Sequence, residues 1–524
     1  MTTALFAMVV FHCFFTGLGR VGLLGPDEPR YGSIAREMAR TGDWVTPRLN
    51  GSPWFEKPPL YYWAGAIGFR VFSTPEDAAR VPSGIFALCA VAGVVLVALR
   101  FYGRGVAVAA AFMLPATIAM TGFARAAATD MPFAACLTLT MAGAAFLLLE
   151  TQPAKARWVA GAFGAGLGLA MLAKGPAAIL LTGGSAALWA VTTGNFRRVW
   201  RLFHPVAVLV FAAVALPWYV VCAARNPQFL RIFLLEHNVE RFLTNRYQHQ
   251  QPVWFFLPVI LLAVFPWTLL LIPAIRDGWQ ALHTAEWRKS PGVFLTAWAV
   301  FPFAFFSASQ SKLPGYILPA VPPLILLLAR AVNGAPQAGG PARPWRALWV
   351  SLTLVPLGLA PLALRSSPNL SRSARVLLGL PGVMDPLRLV GIALLACALI
   401  VAGSLWLRRP AVSAGIAALG FSFAVGIAAN HVLPHLDAAI SPRQLALAAQ
   451  REAGGAPIVV YELPRAWQYG AEFYLEEPLP EWNAGNHVPV FALSTPARCT
   501  ELAKSGAGPA LHPFFGPATG CRVP

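Results

Sequence analysis

Between residues 27 and 63 the chain places carboxylates beside cations within a run of aromatics. Asp27-Glu28-Pro29-Arg30-Tyr31 opens the stretch, Thr41-Gly42-Asp43-Trp44 follows, and Trp54-Phe55-Glu56-Lys57-Pro58-Pro59 with Leu60-Tyr61-Tyr62-Trp63 closes it. As a helix beginning near Asp27, the first motif puts Asp27, Arg30, Tyr31 and Ile34 on one face by the i, i+3, i+4, i+7 rule. Ile34 and Met38 then give that helix an apolar edge for a membrane interface. Glu56 and Lys57 are locked between an aromatic pair and a Pro-Pro stiffener, which lets Lys57 aim an ammonium at a lipid phosphate. The plainer reading makes Asp27 a helix N-cap, Glu28 a dipole partner and the aromatics a membrane anchor.

Other candidates are scattered along the chain. Asp130 follows Arg125-Ala126-Ala127-Ala128-Thr129 and precedes Met131-Pro132, which suits either a site acid or an N-cap. His237 and His249, twelve residues apart, offer a poor metal signature, although with Glu56 they could hold a divalent cation. Lys174 ends an apolar stretch and reads as a snorkelling lysine. Lys312 resembles it, but its place just before Pro314 and Tyr316 favours a site.

The elements that must position these residues are membrane spans. Apolar residues make up 57% of the 524-residue chain and charged residues only 12%, about half the usual charged share, which excludes a soluble protein. The formal charge of +18 suggests cytoplasmic loops and lipid headgroups here, not nucleic acid. Hydropathy predicts spans near 4–24, 81–99, 105–121, 131–149, 158–173, 176–194, 205–224, 253–273, 293–309, 314–330, 346–364, 387–407 and 411–430. One set of alternate loops carries fifteen Lys and Arg residues beside only Glu150, Asp277 and Glu286, so the positive-inside rule puts that set in the cytoplasm. The first segment lacks a basic leader and a clear cleavage site, so it is expected to remain as a span. Residues 25–80, 225–252 and everything after about 431 then lie outside, and the first of these holds seven of the 22 acids.

The tail reads as a small α/β domain. Ser441, Pro442 and Gly454 bracket an apolar helix, and Pro457–Glu462, Ala471–Leu475 and Val488–Leu493 are predicted strands. Cys499 and Cys521 both lie in this tail, where an oxidising compartment permits a disulfide. The expectation is an all-α polytopic membrane protein over residues 1–430, with about thirteen helices, and an extracytoplasmic α/β domain over 431–524.

The motifs of the first outer loop resemble those of the aminoarabinose transferase family of polyprenyl-phosphate-dependent glycosyltransferases. The resemblance continues through Asp130-Met131-Pro132-Phe133, Ala173-Lys174-Gly175-Pro176, Leu216-Pro217-Trp218-Tyr219, Glu236-His237, Arg241-Phe242, Gln248-His249 and Ser311-Lys312-Leu313-Pro314-Gly315-Tyr316. It covers roughly residues 20–330 and implies the GT-C fold, with an active site facing the periplasm of a bacterial inner membrane. It implies transfer of a sugar from undecaprenyl phosphate to lipid A or another outer-leaflet acceptor, with inversion at carbon 1. Asp27 and Asp130 would sit at the reaction centre, and Arg30, Lys57, Arg241, Tyr316 and Lys312 would serve the carrier phosphate. Glu56, Tyr31, His237 and His249 would support them, with Glu56 and His237 the ligands of any divalent cation; no cofactor is otherwise expected. The chain would act as a monomer among membrane lipids, without nucleic acid. Two alternatives stand beside this reading: a transferase for protein or glycan hydroxyls, and a lipid-linked sugar flippase. The second suits the sequence less well, because its ionisable groups gather at outer ends and not at the bilayer midplane.

Overall fold

The computed structural model describes residues 2–150, 156–240, 251–333, 346–363, 372–404, 410–483, 489–504 and 516–523. The α-helices of eight or more residues are numbered in chain order. They begin with α1 (Thr2–Val10), α2 (Asp27–Thr41), α3 (Leu60–Val71), α4 (Pro75–Phe101), α5 (Arg104–Met113), α6 (Asp130–Leu149) and α7 (Ala156–Lys174). Next come α8 (Ala177–Thr193), α9 (Pro205–Arg225), α10 (Phe256–Ala263), α11 (Leu271–Leu282), α12 (Pro291–Ala308) and α13 (Val321–Asn333). The bundle ends with α14 (Ala347–Ala363), α15 (Met384–Gly403), α16 (Pro410–Ile427) and α17 (Leu433–Ile440).

Every expected span has its helix. Among the described residues nine helices are long and apolar enough to cross a membrane, and two shorter apolar helices, Ala177–Thr193 and Leu348–Ala363, fall on expected spans. Two more spans are bent pairs: α5 turns 59° into Ile118–Ala124, and the segment Val253–Ala263 turns 109° into Thr268–Leu282. Both bends follow proline: Pro115 and Pro266 stand at the breaks, where the ring cannot continue the helical ladder. The chain is therefore a polytopic helical membrane protein.

Without a hydrophobic force between helices in lipid, close packing must hold the bundle, and small residues allow it. The α7–α9 contact shows this. A β-carbon on Gly164 would lie 2.2 Å from the Ala207 carbonyl oxygen, so only glycine lets the two backbones meet.

Two pieces outside the spans sit on one end of the bundle. Residues 27–71 form α2, a two-residue hairpin of β1 (Arg48–Leu49) and β2 (Ser52–Pro53), and α3. The apolar edge of α2 faces protein and not lipid: Ile34 and Met38 are buried with Tyr31, Tyr61, Tyr62 and Phe473. The predicted interfacial role of that edge, and of Tyr61 and Tyr62 as anchors, is thereby corrected, because the neighbouring outer elements already cover them.

The tail adds α18 (Arg443–Glu452), β3 (Ile458–Val460), α19 (Arg465–Leu475), β4 (Val490–Ser494), α20 (Pro496–Lys504) and β5 (Thr519–Val523). Its sheet runs β3-β4-β5, the first pair parallel and the second antiparallel. The expected strand at Ala471–Leu475 is instead the end of α19. Trp467, Gly470 and Ala471 are buried at helical spacing and outweigh the strand preference of the aromatics. Cys499 and Cys521 form a disulfide, with α-carbons 6.0 Å apart, that ties α20 to β5.

Substituting Gly164 with Ala should cost about 1–3 kcal/mol, since a backbone carbonyl cannot rotate out of the way. Thermal melting of the detergent-solubilised protein should show a lower midpoint, and an unchanged midpoint would mean that α7 and α9 separate freely.

Candidate active site at one end of the bundle

The site begins with one carboxylate that is not itself in it. Glu28, the second residue of α2, is buried, and its Oε2 accepts from the Leu24 amide at 2.7 Å while Oε1 accepts from the Ala127 amide at 2.7 Å. Arg80 of α4 donates to both oxygens, at 3.1 and 2.6 Å. The rest of the Arg80 fork donates to the carbonyls of Leu18, Val21 and Gly22 at 2.7, 2.7 and 2.9 Å. All five guanidinium donors are thus used. Removing one partner would leave a buried charge, at a cost of about 3–5 kcal/mol. The plainer sequence reading gives Glu28 only a helix dipole, and Arg80 carries no sequence signal beyond being an arginine near a helix start.

This pair sets the chemistry on either side of it. Asp27 is the neighbour of Glu28, and Asp130 lies three residues beyond Ala127. Neither caps its helix: Pro26 and Thr129 occupy the N-cap positions, without side-chain cap bonds. Asp27 accepts instead from Arg30 at 2.5 Å, and Asp130 from Lys174 at 2.5 Å. Lys174 is therefore no snorkelling lysine. It ends α7 just before Gly175, with its ammonium 4.9 Å from the Tyr316 ring centre and 5.6 Å from that of Phe133. Gly315 makes room for this arrangement, because a β-carbon there would sit 2.8 Å from Asp130 Oδ1.

Arg30 is buried, 5% exposed. It also reaches Glu56 at 3.2 Å, and Lys57 meets the same carboxylate at 3.5 Å. The rings of Tyr31, Trp54 and Tyr469 surround its guanidinium at 5.1, 5.6 and 5.7 Å. Such a box keeps the cation desolvated yet charged, and the surrounding acids hold its pKa above the ordinary arginine value despite burial. Three buried donors cluster here without a hydrogen-bond partner among the described residues: Arg30 Nε, Trp54 Nε1 and Tyr62 Oη. Burial keeps Tyr31 and Tyr62 protonated, so both remain donors.

Asp27 opens toward solvent, with its side chain half exposed. Desolvation by the recess raises its pKa, Arg30 opposes the rise, the charges of Glu56 and Asp130 add to it, and Lys57 lowers it. Asp27 and Asp130 are therefore close enough to feel each other, which brings both predicted acids to one place with Arg30, Lys57, Glu56 and Tyr31. Tyr316 joins through Lys174. Lys312 is buried and donates to the carbonyls of Ser309 at 2.5 Å and Gln251 at 3.1 Å. Arg241 and His249 lie outside the described residues, as does the side chain of His237. Among the described residues, no group of three His, Cys, Asp or Glu side chains could hold a metal ion.

The tail closes the side of the site. Arg36 of α2 packs over the Phe473 ring at 4.4 Å and pairs with Glu476, which also meets Arg40. Tyr474 Oη donates to Glu76 and accepts from the Leu23 amide, both at 2.8 Å. Arg443 bridges Asp437 and Glu76 at 2.7 and 3.1 Å. Tyr469, on the same helix as Phe473, thereby reaches Arg30. Nothing in the sequence places Tyr469 on Arg30.

Known proteins resemble this chain in sequence and in fold. Residues 56–220 match the family described as dolichyl-phosphate-mannose-protein mannosyltransferase. The undecaprenyl phosphate-alpha-4-amino-4-deoxy-L-arabinose arabinosyl transferase of Edwardsiella ictaluri is 33% identical over 323 residues, 60% of this chain and 57% of its own length. That of Pseudomonas paraeruginosa is 34% identical over 363 residues, 68% of this chain and 64% of its own. The match spans less than two thirds of either relative. The crystal structure of ArnT from Cupriavidus metallidurans bound to undecaprenyl phosphate superposes with a TM-score of 0.82 at 24% identity, covering 99% of this chain and 97% of that one. This chain resembles the aminoarabinose transferases in sequence and shares their GT-C fold. The matched stretch includes the bundle helices that hold Asp130 and Lys174, while the structural match extends the likeness through the tail.

The charge arrangement around Asp27 makes a signed prediction. In Asp130→Asn the Asp27 carboxyl should titrate lower than in the wild type, because a charge that raises it is gone; in Lys57→Met it should titrate higher. Infrared difference spectra of each variant against its Asp27→Asn derivative would report the two midpoints. Movement in the same direction for both would mean that Asp130 and Lys57 do not face Asp27.

Proposed function

We propose that this chain is an inverting glycosyltransferase that moves a sugar of the 4-amino-4-deoxy-L-arabinose type from undecaprenyl phosphate to lipid A. The observation that carries the reading is the convergence of Asp27 and Asp130 with Arg30, Lys57 and Lys174 in one recess at the outer end of the bundle. The activity of the relatives and the carrier bound to the structural neighbour support the choice of donor.

The chemistry suits the charges. As the bond from carbon 1 to the carrier phosphate breaks, its electron pair stays on the phosphate, and positive charge grows at carbon 1. Lys57 and Arg30, with its unmatched Nε and the nearby Trp54 Nε1 and Tyr62 Oη donors, suit the growing negative charge of the leaving phosphate. Asp27, exposed and ionised above its raised pKa, suits the carbon 1 side. An acceptor phosphate oxygen attacks the opposite face and forms the new bond without losing a proton; an acceptor hydroxyl would pass its proton to Asp27. The amino group of the donor sugar adds a cation for which Asp130 is a partner.

The family described for residues 56–220 favours a second reading, in which the acceptor is a protein hydroxyl. One comparison separates the two. Mass spectrometry of lipid A and of total glycoproteins from cells with and without the chain should show the added pentosamine on lipid A. A gain confined to glycoproteins would move the acceptor to protein. Asp27→Asn should remove the product by about a hundredfold or more, and Arg30→Ala and Lys57→Ala should each lower it by tenfold or more, with expression unchanged. Normal product from all three variants would detach the chemistry from this recess.

We further propose that the recess and the tail face the periplasm. Supporting this, Arg100, Glu150, Arg198 and Arg201 form a basic-rich cluster at the far end of α6, about 30 Å from Asp130 for a helix of 20 residues. Alkaline phosphatase fused after residue 524 should be active. A fluorescent cytoplasmic reporter at that position, with phosphatase inactive, would reverse the orientation.

A further inference from the structure

At the end of the bundle opposite the recess, α11 leaves α10 through the 109° bend and packs against α13. Ile272, Ile275, Trp279 and Leu282 of α11 are exposed along its length, the pattern of a helix lying in a membrane interface. Between α11 and helices α8, α12 and α13 lies a cavity of about 680 Å³, walled by Leu188, Val293, Ala297, Leu324 and Leu328 among others. The candidate active site makes no use of it.

The polar groups of this cavity are unequal in charge. Asp277 is held by a bidentate pair with Arg346, both contacts at 2.7 Å, and Arg346 is 2% exposed, so that carboxylate is already neutralised. Arg330 lines the cavity from the last turn of α13 and makes no ion pair among the described residues. Its guanidinium lies over the Tyr102 ring at 5.6 Å. It also packs against the first turn of α12, where a β-carbon on Gly292 would be 2.9 Å from Nη1. The positive end of the α12 dipole and Arg330 thus address the same point. Outside it stand Arg288 and the Lys289–Glu286 pair, at 2.7 Å, which leave the rim net positive.

We propose that this cavity binds one phospholipid with an anionic headgroup, its phosphate on Arg330 and an acyl chain under α11. Charge decides the class of lipid. An apolar chamber opening among lipid-facing side chains takes an acyl chain of any lipid, but an arginine without a counter-carboxylate in such a site favours a headgroup that brings net negative charge. The inference needs only the membrane fold and is independent of the transferase reading.

Native mass spectrometry on the full chain, delipidated in detergent and offered equimolar phosphatidylglycerol and phosphatidylethanolamine of identical chains, tests it without turnover. The wild type should retain one phosphatidylglycerol about tenfold in preference, Arg330→Ala should retain the two lipids equally, and Ala297→Phe, which fills the chamber, should retain neither. Arg288→Ala, on the rim, should keep the preference. Should Arg330→Ala not survive purification, Arg330→Gln keeps donors without charge and makes the same distinction. Equal retention of the two lipids by the wild type, or an undiminished preference in the Arg330 variant, would overturn the assignment.

Discussion

A buried ion pair between Glu28 and Arg80 fixes the geometry on which the site depends. Four backbone segments converge on it: the end of the first span, the start of α2, the start of α4 and the turn before α6. A buried pair earns little net stability by itself, since desolvation offsets most of the attraction. Its value here is positional. Glu28 cannot move without disturbing Asp27 beside it, and the Ala127 amide it accepts from cannot move without disturbing Asp130. Two acids that come from distant parts of the sequence are thereby held against their mutual repulsion.

That repulsion is itself informative. Leaving two carboxylates near each other in a desolvated recess is unfavourable unless cations are interleaved, and Arg30, Lys57 and Lys174 supply them. The result is a recess with alternating charges. Under the function proposed above, a substrate that brings a sugar cation and a phosphate anion would meet complementary groups at both ends, which is preorganisation: the charges are assembled before it arrives.

Much of this could be read from the chain, and the misses share a cause. The span count followed from hydropathy because lipid forbids unpaired backbone, and each expected segment found its helix. Asp27, Arg30, Glu56 and Lys57 were legible because they lie close together in sequence, within one loop. Lys174 was not, since a lysine at a helix end looks the same whether it reaches for water or for an acid on a neighbouring helix. Arg80 and Tyr469 were invisible for the same reason: their meaning lies in residues far along the chain. The apolar edge of α2 was correctly seen as apolar and wrongly given to lipid, because periodicity reports that a face is buried but not what buries it. In α19, local strand preference misled where tertiary packing decided.

Tyr469 forms one wall of the aromatic enclosure around Arg30, although it belongs to the tail. The other two walls, Tyr31 and Trp54, belong to the outer loop that carries the site. The tail and the membrane part therefore cannot drift apart independently in evolution. A tail exchanged between relatives would bring its own third-side chemistry to the same guanidinium, and only exchanges that restore a flat ring at this position would keep water from it. The boundary that looks like a seam between two modules is, at this one contact, a shared component, and recombination there would be filtered by a single aromatic residue.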